Sequence, residues 1–365
     1  MLALTSGTAL QSVCQSLERA GLRDLFACGD PLHPRYERWL HARANAPERL
    51  RPLVDVFLLG RAAPRADLGA LRADALDALL QSGVLKATDG GALHLGGLCL
   101  LPTLGVWLLC QVPQPGPTLY YGDDSVGLAW RLSAKPGDRA LDLCAGPGIQ
   151  ALRLAAMGAE VVAVEINPVA ASLAQLNAAA NGLGERISVR IGSLYQAVGA
   201  RERFDLVSAN PPLLPVPDNV PYPFVGHGGP DGLSITRRIL DGLPGVLSER
   251  GVARLLGTTL SDGYLPLCLE EMETWARTHA MDMIMFVTSH FGLAAGDAYL
   301  EGLAQTSAAT GRISLDEARA RYLACFAARG ASHMCAYFFH IVPGRGSFDL
   351  ADLAEEPPRD IWFAH

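Results

Sequence analysis

Apolar residues recur along this chain at two spacings, and the changes from one to the other divide it. In residues 1–46, Leu10, Val13, Cys14 and Leu17 keep helical spacing. A helix is predicted over 48–59, and a second, amphipathic one carries Leu68, Leu71, Ala75, Leu76, Leu79 and Leu80 on one stripe that Gly83 closes. The period then shortens. VLKAT, ALHLGGLCLLP and VWLLCQV read as strands, with a tight turn at Asp89–Gly91 between the first two. From Ala140 onward strand-like runs alternate with helical ones, the runs being ALDL, VVAVE, RIGSLYQAV, FDLVSA, GVARLLGTTL, MDMIMFVTSHF and HMCAYFFHIVPG. That alternation is the pattern of an α/β domain built on a largely parallel sheet.

Two helices followed by a hairpin resemble a winged helix, so residues 1–115 are expected to form a mainly helical, winged-helix-like amino-terminal domain. The stretch 114–124, QPGPTLYYGDD, reads as a linker whose Tyr120, Tyr121, Asp123 and Asp124 either reach over a ligand or pack a hinge. The α/β domain is expected over 116–365. Between its last two strands lies an insertion at about 292–332, in which a helix puts Ala318, Tyr322 and Phe326 on one face.

Three pieces of the α/β region carry chemistry. In ALDLCAGPG, residues 140–148, an apolar strand runs into a loop with Gly146 and Gly148, where glycine lets the backbone turn sharply and approach a ligand. VVAVE ends on Glu165, about twenty residues further on, the spacing at which nucleotide-binding βαβ units present a carboxylate to ribose hydroxyls. FDLVSANPP ends on Asn210, Pro211 and Pro212. Two prolines stop that strand just outside its carboxyl end, where open α/β sheets bind ligands. The following LLPVPDNVPYPFVGHGG is too rich in proline and glycine for regular structure and reads as a lid or substrate wall, with Leu213, Tyr222, Phe224 and His227 as candidate substrate-binding residues.

LDLCAGPGIQAL, VEINPVAASLAQLNAAANGL and ANPPL, with GGPDGL at Gly228–Leu233, resemble the class I S-adenosylmethionine-dependent methyltransferases. Within them they resemble the branch marked by Asn-Pro-Pro-aromatic, and there the HemK-like glutamine methyltransferases of release factors. The resemblance covers about 140–260 and implies a Rossmann-like seven-stranded sheet with S-adenosyl-L-methionine as cofactor. Carried over by position, it puts Asp142, Gly146 and Gly148 around the methionine part and Glu165 on the ribose, with Cys144 also in the cofactor-binding set. Ile166, Ser193, Leu194 and Asn210 join the cofactor-binding set, Ser193 standing where the family commonly has an acidic residue for the adenine amino group. Asn210, Pro211 and Pro212 are the implied catalytic residues. The Asn210 side chain and the Pro211 carbonyl would hold a target nitrogen as it gathers positive charge and takes the methyl. Leu213 replaces the usual aromatic residue and gives up a stacking surface worth about 1–3 kcal/mol per flat base.

Composition narrows the partners. The 365 residues, 50% apolar, are enough for two domains with a large core, and no stretch is long and apolar enough to span a membrane. With no basic leader at its start, the chain is expected to be cytoplasmic. Eight cysteines without a CxxC pair fit reduced, buried thiols, and no metal is expected. The net charge is -7, and residues 1–115 carry 11 basic against 10 acidic side chains, with Asp67, Asp74 and Asp77 against Arg72 on the expected recognition helix. Nucleic acid is therefore not the expected partner. The favoured reading is a methyltransferase acting on an amine or amide nitrogen of a small-molecule substrate, in a chain able to pair as a homodimer. Glutamine in a protein, or a base in rRNA, is the second reading. A methyltransferase-fold protein that binds the cofactor for another reaction, or as a partner subunit, is the third.

Overall fold

A computed structural model describes residues 2–30, 32–114, 118–355 and 359–364. Residues 115–117 of the expected linker lie outside the described residues. The helices are α1 (Leu2–Ala20), α2 (Leu22–Ala27), α3 (Tyr36–Asn45), α4 (Arg51–Leu53), α5 (Ala73–Gln81), α6 (Asp123–Arg131), α7 (Ile149–Ala156), α8 (Pro168–Ala180), α9 (Ser234–Gly242), α10 (Leu269–His279), α11 (Ala298–Thr310) and α12 (Leu315–Ala327). The strands are β1 (Ala63–Pro64), β2 (Lys86–Ala87), β3 (Ala92–His94), β4 (Leu98–Thr103), β5 (Val106–Gln111), β6 (Arg139–Leu143), β7 (Glu160–Glu165), β8 (Ile187–Ile191), β9 (Phe204–Ala209), β10 (Leu247–Ser261), β11 (Met281–Gly292), β12 (His333–Pro343) and β13 (Phe348–Asp352).

Two compact units divide the chain. The first takes in Met1–Gln114, Leu119–Gly137 and Ala145–Gly192. Its α1 buries Leu10, Val13 and Leu17 completely, and it lies so close to α8 that a Cβ on Gly7 would come 2.3 Å from that of Ala179. The helix expected over 48–59 is broken into a 3-10 turn at Glu48–Leu50, the short α4 and a π-turn at Val54–Leu58. Pro52 supplies no N–H to a regular ladder there. β1, β3 and β2 pair antiparallel in that order, and α5 precedes the β2–β3 hairpin. β4 and β5 pair separately around Leu104 and Gly105, whose φ angles of 50° and 83° are those of a two-residue hairpin turn. β7 and β8 pair in parallel from Val161↔Ile187 to Glu165↔Ile191.

The second unit is built from Asp138–Cys144 and Ser193–His365. Its strands lie in the order β13-β11-β12-β10-β9-β6. β6, β9 and β10 are parallel, β12 runs antiparallel between β10 and β11, and β13 adds a parallel edge to β11. The sheet of this unit is thus mixed, and β13 is an edge strand that the expected sheet did not include. His290 Nε2, 2.9 Å from Asp352 Oδ2, ties that added edge to β11. In the insertion α11 and α12 pack together. Leu300, Tyr322 and Phe326 form a small apolar core with Val216 and Val220 of the segment after the two prolines. The Ser307 and Tyr322 hydroxyls meet inside it at 3.0 Å. None of the eight cysteines is in a disulfide, five of them are buried, and no helix among the described residues is long and apolar enough to cross a membrane.

Candidate active site

In the first unit the glycine loop opens α7 and faces the end of β7. Gly146 and Gly148 both adopt left-handed backbone, with φ of 54° and 93°. Their reasons differ. A Cβ on Gly148 would come 3.1 Å from that of Ala174 on α8, whereas one on Gly146 would meet nothing within 4 Å. Gly148 therefore serves close packing of the loop on α8, and Gly146 leaves an open cradle. Glu165, at the end of β7, is 8% exposed. Its Oε2 accepts the Gly146 N–H and its Oε1 the Asn167 N–H, each at 2.8 Å. Both carboxylate oxygens are thereby fixed, and each keeps lone-pair capacity for a ribose hydroxyl. Ile166 is 49% exposed beside it. The Asn167 side chain caps α8 by accepting the Val169 N–H at 2.9 Å. An open backbone cradle and an oriented carboxylate fit the methionine and ribose parts of S-adenosylmethionine. Of the linker residues, Tyr121 is buried with its hydroxyl 2.6 Å from that of Thr103, and Tyr120 is exposed.

In the second unit Asp142 sits near the end of β6, buried, and accepts the Ser208 hydroxyl of β9 at 2.9 Å. Cys144 and Leu194 hold φ of 57° and 50°. Such angles are costly for residues with a Cβ and gather at functional sites. The Ser193 hydroxyl accepts from Arg238 at 3.1 Å.

β9 ends at Ala209, and Asn210, Pro211, Pro212 and Leu213 follow. Leu213 is buried, and its carbonyl accepts the buried Thr258 hydroxyl at 2.6 Å. The Gly-Gly-Pro-Asp-Gly-Leu segment lies directly on this loop. A Cβ on Gly228 would come 2.7 Å from the Leu213 carbonyl carbon, and one on Gly232 would come 2.7 Å from its oxygen. Backbone bonds add Leu214 N–H to Gly226 O, Gly228 N–H to Leu214 O and Val216 N–H to Gly229 O. Asp231 is gripped by Arg237, which also binds Glu271. Burial alone would raise the Asp231 carboxyl, but the hydrogen bonds from Arg237 and the Leu233 N–H outweigh it and hold the group below its ordinary value.

The remaining expected residues fall in different places. His227 Nδ1 accepts the Gly229 N–H at 3.3 Å, so the ring is tied to the glycine turn. Tyr222 packs on the core of the insertion, where burial pushes its phenol upward against a hydrogen bond from Thr306. Phe224 is 67% exposed. The sequence reading missed Thr258, and it also missed Asn177 on α8 and Asn181 at its C-cap. Their one sequence signal is two amides, four apart, in an alanine-rich helix.

Residues 124–218 match the family model described as the methyltransferase small domain. A ribosomal protein uL3 glutamine methyltransferase of Bordetella pertussis is 37% identical over 138 residues, 34% of this chain and 46% of that protein. A protein named as an N5-glutamine methyltransferase of Methanocaldococcus jannaschii is 32% identical over 144 residues, 38% of this chain and 71% of that protein. A tRNA1(Val) (adenine(37)-N6)-methyltransferase of Porphyromonas gingivalis is 38% identical over 115 residues, 28% of this chain and 45% of that protein. The chain belongs to the class I S-adenosylmethionine-dependent methyltransferases, in their HemK-like branch. It spans less than half the length of the uL3 methyltransferases it matches.

Proposed function

We propose that the protein methylates the side-chain amide nitrogen of a glutamine in a protein substrate. The observation that carries this reading is the bracing of the Asn-Pro-Pro loop. Gly228 and Gly232 press on Leu213, and Thr258 holds its carbonyl. Such bracing keeps the Asn210 amide and the Pro211 carbonyl in fixed positions to accept the two N–H groups of a planar amide and to direct its lone pair. The cofactor supplies an electrophilic methyl on a sulfonium sulfur. On transfer the methyl would pass from sulfur to the amide nitrogen with the S–C bond breaking and S-adenosylhomocysteine left behind; the two acceptors would stabilise the positive charge gathered on nitrogen, which would then shed one of its hydrogens as a proton to water. The relatives named for protein glutamine support this substrate class. The small-molecule substrate favoured from charge and Leu213 has no support among the relatives described above.

Residues 1–115 are read as a winged-helix-like domain and 116–365 as the methyltransferase domain with an insertion. The antiparallel β2–β3 hairpin after α5, with β1 from before that helix added on β3, supports the former. Arg65 and Arg72 beside α5 are paired with Asp77 and Asp74, which favours a covering or dimerising role over phosphate binding.

The test is transfer of a deuterated methyl from labelled cofactor to recombinant uL3 and release factor, read by peptide mass spectrometry. Wild type is expected to label one glutamine. Asn210→Ala is expected to label none while keeping most of its cofactor affinity. Label appearing only in RNA or in small molecules would sink the reading.

A further inference from the structure

α8 and its C-cap carry two asparagines, Asn177 and Asn181, that do not behave as surface polar residues. Asn177 is completely buried. Its Oδ1 accepts the Leu109 N–H of β5 at 2.8 Å, and its Nδ2 donates to the Leu109 carbonyl at 2.9 Å. The second Nδ2 hydrogen goes to the carbonyl of Pro147, again at 2.9 Å, between the two glycines of the cofactor loop. One turn later Asn181 repeats the pattern on Trp107, accepting its N–H at 2.8 Å and donating to its carbonyl at 2.7 Å. Its second hydrogen, however, goes to the Asn177 carbonyl of its own helix at 2.8 Å.

The spacing explains why two asparagines suffice. Four residues of helix rise about 6 Å, and two residues of strand advance about 6.8 Å, so side-chain amides four apart on α8 meet alternate peptide units of β5. Among the described residues β5 pairs with β4 alone, on one side. The asparagines take the place of a neighbouring strand on the other side. That role accounts for Asn181 in full. It leaves the Asn177–Pro147 bond unexplained, since Pro147 belongs to neither strand.

We propose that Asn177 is a positioning residue for the cofactor loop and couples the β4–β5 hairpin to cofactor affinity. The two Nδ2 hydrogens of a planar amide point in fixed, different directions. The carbonyl of Leu109 therefore sets where the carbonyl of Pro147 stands, and with it the left-handed turns at Gly146 and Gly148. Because the bonds run both ways, a cofactor that steadies the loop also steadies β5. The proposal rests on the reading that S-adenosylmethionine binds at this loop.

Asn181→Ala is the matched control, since it removes the same two hairpin bonds and leaves Pro147 untouched. Binding of S-adenosylhomocysteine to the full chain is measured by calorimetry, and stability by thermal unfolding. Both variants are expected to lower the melting temperature. Only Asn177→Ala should weaken binding, by about fivefold or more, the value of one buried hydrogen bond. A second measurement needs no variant. In wild type, saturating S-adenosylhomocysteine is expected to slow amide exchange over 106–111 and leave the β2–β3 hairpin unchanged. Equal loss of affinity in both variants, full affinity in Asn177→Ala, or exchange over 106–111 indifferent to ligand would overturn the coupling. A wild-type protein that bound neither S-adenosylmethionine nor its product would instead overturn the functional reading beneath it.

Discussion

A methyl group added at Gly146 would stand in open space, whereas one added at Gly232 would lie 2.4 Å from the carbonyl oxygen of Thr258 and 2.7 Å from that of Leu213. Both glycines have left-handed backbone, with φ of 54° and 83°, and both sit in motifs of one resemblance. Yet the first leaves room for a ligand, and the second leaves room for the protein's own backbone. A glycine motif thus marks a close approach without saying of what. The neighbour that a Cβ would strike separates a binding constraint from a folding one, and the two should fail differently when substituted.

Gly232→Ala gives the largest break. Its Cβ would meet the backbone of Thr258 within β10 and of Leu213 in the loop after β9, which cannot move as a side-chain tip can. Left-handed strain and overpacking together are expected to cost about 3 kcal/mol or more. Denaturant unfolding should register that loss, and turnover should fall with it as the Asn-Pro-Pro loop shifts. A variant as stable as wild type would show that this segment does not brace the loop.

Thr258→Val keeps the shape and removes only the donor to Leu213. The buried carbonyl left without its partner is expected to cost about 1–3 kcal/mol. If the loop is braced for chemistry, kcat should drop while cofactor affinity stays level. A change in affinity with kcat preserved would move this contact to the binding side of the comparison.

Gly146→Ala tests the opposite stretch. Its backbone strain is about 1–2 kcal/mol, with no clash to add, so the variant should fold. The new methyl occupies the cradle, and cofactor affinity is expected to fall by about tenfold, equivalent to about 1.4 kcal/mol. Affinity unchanged in a calorimetric titration would mean that the cradle is not where the cofactor lies.

The sequence made some of this visible and hid the rest for identifiable reasons. Gly146, Gly148 and Glu165 could be picked out because a strand, a turn and a second strand fix their separation within one continuous stretch. The strands of β9 and β10 were equally visible as apolar runs ended by proline or by polar residues. β13 was missed because FDLAD is short and exposed at an edge, so little of its alternation is enforced by burial. α11 was missed because its buried stripe, Leu300, Leu303, Ala304 and Ser307, is half small or polar and stands out little from the alanines and threonines around it. Asn177 could not be read at all, since the strand it serves lies 68 residues away and a side chain bonded to distant backbone leaves no local period. Thr258 is hidden in the same way, 45 residues from Leu213.

The smallest expected effect concerns charge within the segment that folds against Leu213. Asp231 is held by Arg237 below the ordinary aspartate value of 3.8, in spite of the burial that opposes it. A carboxyl with a depressed folded-state pKa adds stability that is fully present above its unfolded value and is lost as pH falls through the folded one. The contribution should therefore be intact at neutral pH and fade below about pH 4. Asp231→Asn removes the titrating group, so its melting temperature should fall less steeply than wild type between about pH 5 and pH 3. The difference should be modest, because Arg237 is partly exposed and keeps Glu271 as a second partner. Parallel curves for the two proteins would show that the ion pair adds nothing to the bracing of the loop and that Gly228, Gly232 and Thr258 carry it alone.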